Sequence, residues 1–352
     1  MIILVIFVSV LIVAYFVAMA LGPILFFSTP DGMTFSRQPL SEVLPWGPYV
    51  FLFTFVVIFI PVNPNIGPLF LLLWGIYLLC FVVAWRLRES LHKVIKNSLA
   101  RPLDCTLRNN LFATPVITSM VFTAILILAL FQESQGIPTG EPPLPENPFA
   151  AFFSLSYASV VEEIGFRLTP IGAFLIVYLF LARGRRTAAM SGGQRLKTFF
   201  LSWLYPEKAK EKLGLKTVGG AGILRGISLS EWLVVILTSV VFGLAHYGGG
   251  WEAGKITIAS VQGFAMGLAY IIYGAQAPIL IHWYFNYYSY AYLLALDFYP
   301  ATLPLVGVFG LVTFALGALG WIILVVNILG IRKRPKGPSE EPVLSTLDVN
   351  ES

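Results

Sequence analysis

Residues 149–182 read FAAFFSLSYASVVEEIGFRLTPIGAFLIVYLFLA, and this run decides the fold class. It is apolar along most of its length, and it exceeds the roughly 20 residues that a helix needs to cross a bilayer. Three charged residues, Glu162, Glu163 and Arg167, lie near its centre. Pro170 predicts a kink or break, because proline lacks a backbone donor and clashes with the preceding turn. The run therefore predicts a bent membrane-spanning helix with charges at membrane depth.

The composition of the whole chain agrees with a membrane protein. Of its 352 residues, 57% are hydrophobic and 12% are charged, and the mean hydropathy is +0.80. A soluble domain has about 25% charged residues and could not bury this much apolar surface. The net charge of +5 does not indicate nucleic-acid binding, because the basic residues cluster between apolar runs. Such clusters are typical of cytoplasmic loops in membrane proteins.

Hydropathy divides the chain into apolar runs that are each long enough to cross the membrane. The pattern predicts an all-α, polytopic transmembrane helical bundle of about nine spans, within a range of eight to ten. The predicted spans are 2–27, 46–62, 67–85, 111–131, 149–182, 230–247, 253–274, 277–296 and 303–331.

Loop charge predicts the orientation of these spans. The segments 86–110 and 183–229 are rich in Lys and Arg, and so is the start of the tail at Arg332. The segment 132–148 contains glutamates but no Lys or Arg. Because basic loops stay in the cytoplasm, we expect the basic segments inside and 132–148 outside. With nine spans, the N-terminus would then lie outside and the C-terminus in the cytoplasm.

Four regions follow from this division. Residues 1–131 supply N-terminal transmembrane helices, and 149–296 supply a core that includes the basic cytoplasmic loop 183–229. Residues 297–331 form a C-terminal span, and 332–352 are expected to form a disordered cytoplasmic tail. Two interpretations of the basic loop stay open. It forms a short helix on the inner membrane surface, or it is solvated and disordered.

Polar side chains inside other apolar runs add to the candidate site. The sixth span contains His246, with Phe242 one turn before it, and the eighth span contains His282 and Asn286. Polar and ionisable groups at membrane depth are costly, which makes them functional candidates. Because His282 and Asn286 are four residues apart, a helix should point both into one cavity.

Helix geometry separates the roles of the charged residues in 149–182. Glu163 and Arg167 are four positions apart, so they share one face and are predicted to form an ion pair. This pairing lowers the cost of burying both charges. Glu162 is rotated by about 100° from Glu163, which leaves its carboxylate free for chemistry.

A carboxylate, two histidines and an amide suit peptide hydrolysis. Glu162 and one histidine could deprotonate a water, while the other histidine and Asn286 donate to the oxyanion. Alternatively, Glu162, His246 and His282 could hold zinc with water as the fourth ligand, although H-E-x-x-H is absent. Buried Glu, Arg and His also build ion or proton relays, so a coupled membrane transporter is a further alternative.

Taken in order, the polar motifs resemble the signatures of the CAAX-protease and bacteriocin-processing family of intramembrane endopeptidases. The resemblance covers about residues 149–296. The matching motifs are Glu162-Glu163-Ile-Gly-Phe-Arg167 for E-E-x-x-x-R, Phe242-Gly-Leu-Ala-His246 for F-x-x-x-H, and His282-Trp-Tyr-Phe-Asn286 for H-x-x-x-N.

The resemblance implies an endopeptidase that works within the bilayer. In that family pattern Glu162 is the general base on water, assisted by His246, and His282 with Asn286 stabilises the oxyanion. Glu163, Arg167 and Phe242 support the site. The resemblance is compatible with a metalloprotease or a glutamate protease. We favour metal-free catalysis, because the carboxylate has only two histidines beside it.

The sequence therefore predicts an intramembrane endopeptidase that cleaves a membrane-anchored protein or peptide. One specific version removes the last three residues from a prenylated CAAX C-terminus. The expected partners are this substrate and the lipid bilayer, with no nucleic acid. The rivals are the transporter and a non-catalytic membrane adaptor. One feature conflicts with a shared site: simple alternation of spans places His246 near the outer end of its helix and His282 near the inner start of its own.

Overall fold

Seven helices in the described part of the chain are long and apolar enough to cross a membrane. The computed structural model describes residues 2–87, 89–98, 108–141 and 143–328, and the predicted tail 332–352 lies outside them. The predicted all-α, polytopic bundle is confirmed, and the protein is an integral, multi-pass membrane protein. The seven helices are Ile2–Ser28, Ile66–Arg86, Asn110–Ser134, Pro148–Ala182, Leu229–Gly248, Gly254–Tyr273 and Pro300–Val326.

The first half of the chain contains five α-helices and two strands among its described residues. They are α1 (Ile2–Ser28), α2 (Pro30–Ser36), β1 (Tyr49–Leu52), β2 (Val56–Phe59), α3 (Ile66–Arg86), α4 (Leu91–Ser98) and α5 (Asn110–Ser134).

The second half is helical and is interrupted by two π-turns. Its elements are α6 (Pro148–Glu163), the first π-turn (Ile164–Leu168), α7 (Pro170–Ala182), α8 (Gly184–Ala188), α9 (Gly192–Leu204), α10 (Pro206–Leu213), α11 (Val218–Ala221), α12 (Ile223–Gly226), α13 (Leu229–Gly248), α14 (Gly254–Tyr273), α15 (Gln276–Trp283), the second π-turn (Tyr284–Tyr288), α16 (Ser289–Phe298) and α17 (Leu303–Ile328). α15, the second π-turn and α16 form one helical run at the predicted span 277–296.

The predicted helical span 46–62 is wrong, because this run forms an antiparallel β-hairpin. β1 pairs with β2, with Tyr49 opposite Phe59 and Leu52 opposite Val56. The run has 17 residues, which is the lower limit for a spanning helix, at about 17. β-branched and aromatic residues dominate it, and these residue types favour strands. Hydropathy alone could not separate the two outcomes.

The hairpin lies along α6, the helix that carries the candidate carboxylates. The Tyr157 hydroxyl accepts from the Tyr49 amide at 2.8 Å and donates to the Tyr49 carbonyl. At the hairpin tip, the Thr54 amide donates to the Gly165 carbonyl at 2.9 Å. A Cβ at Gly165 would lie 2.4 Å from the Cβ of Phe51, so a larger residue there would displace the hairpin. The hairpin is therefore part of the wall around the site.

The basic loop 183–229 is folded, so the disordered alternative is wrong. It forms the short helices α8 to α12. The Trp203 indole of α9 donates to the Leu168 carbonyl at 2.8 Å, beside the first π-turn. Lys210 of α10 is buried and lies 3.0 Å from the Glu231 carboxylate at the start of α13. These contacts attach the loop to both helices that lead to the site.

Close approach of α13 and α14 brings the F-x-x-x-H motif to the site. A Cβ at Gly243 would lie 2.2 Å from the Ile256 carbonyl oxygen, and one at Gly267 would lie 2.9 Å from Val235. Glycine therefore permits this spacing, as small residues do at many transmembrane interfaces.

Aromatic packing fixes the helix that carries the H-x-x-x-N motif. Trp283 of α15 is fully buried. Its ring contacts Phe81 at 5.0 Å, Tyr15 at 5.6 Å and Tyr287 at 5.4 Å between centroids. Such pairs contribute about 0.5–1.5 kcal/mol each beyond the area they bury. The neighbouring residue, His282, is held at a defined position as a result.

Candidate active site

The first π-turn widens the helix between Glu163 and Arg167. Pro170 has no N–H and would clash with the turn before it in a regular α-helix. The Thr169 amide instead donates to the Ile164 carbonyl at 3.0 Å, across five residues. The Thr169 hydroxyl donates to the same oxygen at 2.8 Å. The chain continues as one helical run through the proline, and π-turns of this kind are frequent at functional sites.

Glu163 binds two other members of the candidate site through one oxygen. Its Oε1 lies 2.8 Å from Arg167 Nη1 and 2.8 Å from His282 Nδ1. The Glu163 side chain is fully buried, and Arg167 and His282 are almost so. The predicted Glu163–Arg167 pair is confirmed. The bond to His282 was not predicted from the sequence.

Glu162 lies beside this group without joining its hydrogen bonds. Its Oε2 is 3.9 Å from His282 Nε2, and 23% of its side chain is exposed. Oε2 accepts no hydrogen bond from the described residues. Burial raises the pKa of Tyr49 at the start of the hairpin, and the negative charge of Glu162 adds to this shift. The prediction that Glu162 stays outside the Glu163–Arg167 ion pair agrees with this arrangement.

Phe242 joins the two histidine-bearing helices. Its ring centroid lies 4.5 Å from that of His246 and 6.0 Å from that of His282. The Arg167 guanidinium stands 4.1 Å above the same ring, within the range of a cation–π interaction. A Cβ at Gly263 would lie 3.1 Å from Arg167, so α14 leaves room for this stack. Both histidines therefore face one site, and the conflict expected from simple alternation of spans is resolved.

Hydrogen bonds assign a donor atom to each histidine. His246 Nδ1 lies 2.9 Å from the Phe242 carbonyl, which can only accept. Nδ1 therefore carries the proton, and Nε2 of the neutral His246 ring is an acceptor. Nδ1 of His282 likewise donates to the Glu163 carboxylate. Nε2 of His282 then faces Glu162, and it is a donor only when the ring is protonated.

Asn286 lies in the second π-turn, one turn after His282. It is half-buried, and its Nδ2 donates to the Leu155 carbonyl of α6 at 3.3 Å. The amide is thus held against the helix that carries Glu162.

Sequence reasoning missed Lys255 and Trp251. The Lys255 ammonium stands 3.9 Å above the Trp251 ring, and that ring lies 6.2 Å from His246. The signal was present in the sequence, since Lys255 is the one charged residue in the predicted span 253–274. Trp251 follows the Gly248-Gly249-Gly250 run and carried no comparable signal.

The described residues contain no group of three His, Cys, Asp or Glu side chains that could hold a metal ion. No such group is formed by the set that the zinc alternative requires, which is Glu162, His246 and His282.

Comparison with known families matches the part of the chain that builds this site. Residues 144–288 match the model of the family described as Type II CAAX prenyl endopeptidase Rce1-like. These residues are a CAAX-protease-family region. The resemblance predicted from the motifs is confirmed, and the Rce1-like region (residues 144–288) contains every candidate site residue. No curated protein and no solved structure matches the chain.

The Rce1-like region supports a CAAX-type intramembrane protease. Its substrate is then a protein associated with the membrane. The three motif segments of this region converge in the structure, because Glu163 bonds His282 and Phe242 contacts His246 and His282.

Proposed function

We propose that the protein is an endopeptidase that removes the last three residues from a prenylated CAAX C-terminus, with a water activated by Glu162. The observation that carries the proposal is the partly exposed Glu162 carboxylate, 3.9 Å from His282 and next to the buried Glu163–Arg167 pair. One carboxylate is bound by its neighbours, and the other is available to a substrate water.

Glu162 is the proposed general base. It takes a proton from water as the water oxygen attacks the carbonyl carbon of the scissile bond. His246 assists, because its Nε2 can accept a hydrogen bond from the same water. Positioned acid–base groups of this kind contribute about 10²–10⁴-fold to a rate.

His282 and Asn286 are the proposed oxyanion donors. Protonated His282 donates from Nε2, while Glu163 holds its Nδ1. Asn286 donates from its amide. As the tetrahedral intermediate collapses, the C–N bond breaks and Glu162 returns the proton to the leaving amine. Glu163 and Arg167 position His282 and do not touch the substrate.

Cleavage of a prenylated CAAX peptide by purified protein tests the proposal. Wild-type protein should release the C-terminal tripeptide, and mass spectrometry identifies the bond that is cut. Glu162→Gln should lower the rate by at least about 100-fold, whereas Glu211→Gln, an exposed site on α10, should leave it unchanged. Full activity of Glu162→Gln would exclude the proposed base.

Metal-free catalysis is part of the proposal, and zinc remains the alternative. A chelator added to the same assay should leave the rate unchanged. Inactivation by the chelator, with recovery on adding zinc, would reverse this assignment.

We infer an orientation with the first helix starting in the cytoplasm. The N-terminus-outside prediction rested on nine spans, one of which is the hairpin at 46–62. The seven long helices and the run from Gln276 to Phe298 make eight proposed crossings. With 183–229 inside, eight crossings put both ends of the bundle in the cytoplasm.

A further inference from the structure

Lys255 is a cation beside the candidate site that the proposed mechanism does not use. Its ammonium lies against the Trp251 ring, which in turn contacts His246. His246 contacts Phe242, whose ring also faces His282. This series of contacts places Lys255 at the edge of the site.

The charge of Lys255 is not paired with a carboxylate in the described part of the chain, where none lies within 4.0 Å of it. Arg167, the other cation near the site, is already bonded to Glu163. Lys255 is therefore available to an anionic group of a bound substrate.

A substrate cut near its C-terminus brings its own α-carboxylate into this site. Glu162, which has no bonded counter-charge, would repel that carboxylate unless a nearby cation neutralised it. A tripeptide in extended form spans about 10 Å, so its carboxylate lies well away from the base while its scissile bond lies beside it. The aromatic face of Trp251 holds the ammonium without neutralising its charge.

We propose that Lys255, held by Trp251, binds the C-terminal carboxylate of the substrate and thereby sets which bond is cut. The inference rests on the proposed endopeptidase function and names a specificity residue for it. Lys255 fixes the position of the C-terminal carboxylate. The bond that then lies beside the water activated by Glu162 is the one that is cut.

Two prenylated peptides test the inference, one with a free C-terminal carboxylate and one with a C-terminal amide. For wild-type protein, kcat/KM should be at least about tenfold higher for the peptide with the free carboxylate (the acid) than for the peptide with the amide, because a charge-assisted bond is worth about 1.5–3 kcal/mol. Lys255→Met should lower kcat/KM for the acid to the wild-type value for the amide, mainly through KM. Lys255→Arg should restore most of the preference, because arginine also binds carboxylates.

Lys197→Met is the matched control, since Lys197 is exposed on α9, and it should keep the full preference for the acid. The inference is overturned if Lys255→Met keeps the wild-type ratio between acid and amide. It is also overturned if Lys255→Met and Lys255→Arg both lower kcat/KM for the acid and for the amide by the same factor. That result would show that Lys255 has a structural role. In either case cleavage by wild type leaves the proposed function standing. Cleavage of neither peptide by wild type would overturn both.

Discussion

Glu163 and His282 lie 119 positions apart in the chain and share a 2.8 Å hydrogen bond between Oε1 and Nδ1. The same Glu163 oxygen also holds Arg167. One buried carboxylate therefore balances the charge of Arg167 and also fixes the orientation of the His282 imidazole on α15. The partly exposed Glu162 is left as the carboxylate that can meet a substrate.

Glu163→Gln should lower both stability and activity. The change leaves Arg167 buried without its bonded counter-charge, and losing one partner of a buried pair costs about 3–5 kcal/mol. His282 also loses its charged acceptor, so kcat should fall more than tenfold. Thermal unfolding in detergent and the cleavage assay measure the two effects. An unchanged melting temperature, equal to that of the exposed control Glu211→Gln, would contradict this account of the pair.

Lys210→Met should destabilise the attachment of the basic loop. Lys210 is 3% exposed and Glu231 is fully buried, so the substitution leaves an uncompensated carboxylate at the start of α13. We expect a loss of about 3–5 kcal/mol in the free energy of unfolding. Lys197→Met, on the exposed side of α9, is the control and should have little effect. Equal unfolding midpoints for the two variants would show that the loop is not held by this pair.

Gly243→Ala should destabilise the contact between α13 and α14. The added Cβ would lie 2.2 Å from the backbone oxygen of Ile256, so the helices must separate. Overpacking of this kind costs about 1–3 kcal/mol, and His246 should shift with its helix. Gly75→Ala in α3 is the matched control, because nothing lies within 4 Å of its added Cβ. A melting temperature for Gly243→Ala at or above that of Gly75→Ala would refute the close approach.

Ser41 and Asn63 should lie on the same side of the membrane. They flank the run 46–62, and the Ser41 amide donates to Asn63 Oδ1 at 2.9 Å. Single cysteines at the two positions, in protein whose native cysteines are replaced, should both react with an impermeant thiol reagent from one side. A helical span between them would put the two cysteines on opposite sides, and labelling of that kind would restore the nine-span prediction.

Local features of the site could be predicted from the sequence, and long-range features could not. The Glu163–Arg167 pair depends only on helix geometry over four residues. The bond from Glu163 to His282 joins helices separated by the whole folded loop, and helical periodicity contains no information about that distance. The same limit hid the Phe242 contact that brings His246 and His282 together.

Hydropathy predicted most of the spanning helices but failed at 46–62. A strand and a helix made of the same apolar residues have the same mean hydropathy, so only length and residue type could separate them. The run was short and rich in β-branched and aromatic residues. Those two features favoured the hairpin, but neither was weighed against hydropathy.

The first π-turn is the place in the α6–α7 run where the length of the chain can change with the least effect on the charged residues. A π-turn holds about one residue more than an α-turn. Deleting one residue between Glu163 and Arg167 would remove the extra residue and let the helix become regular, and the two charged residues would then be three positions apart. Residues three apart still share a helix face, so the ion pair would form again. Elsewhere in the α6–α7 run, removing a residue rotates everything after it by about 100°. Changes of chain length in this run should therefore occur at the π-turn among working versions of the protein.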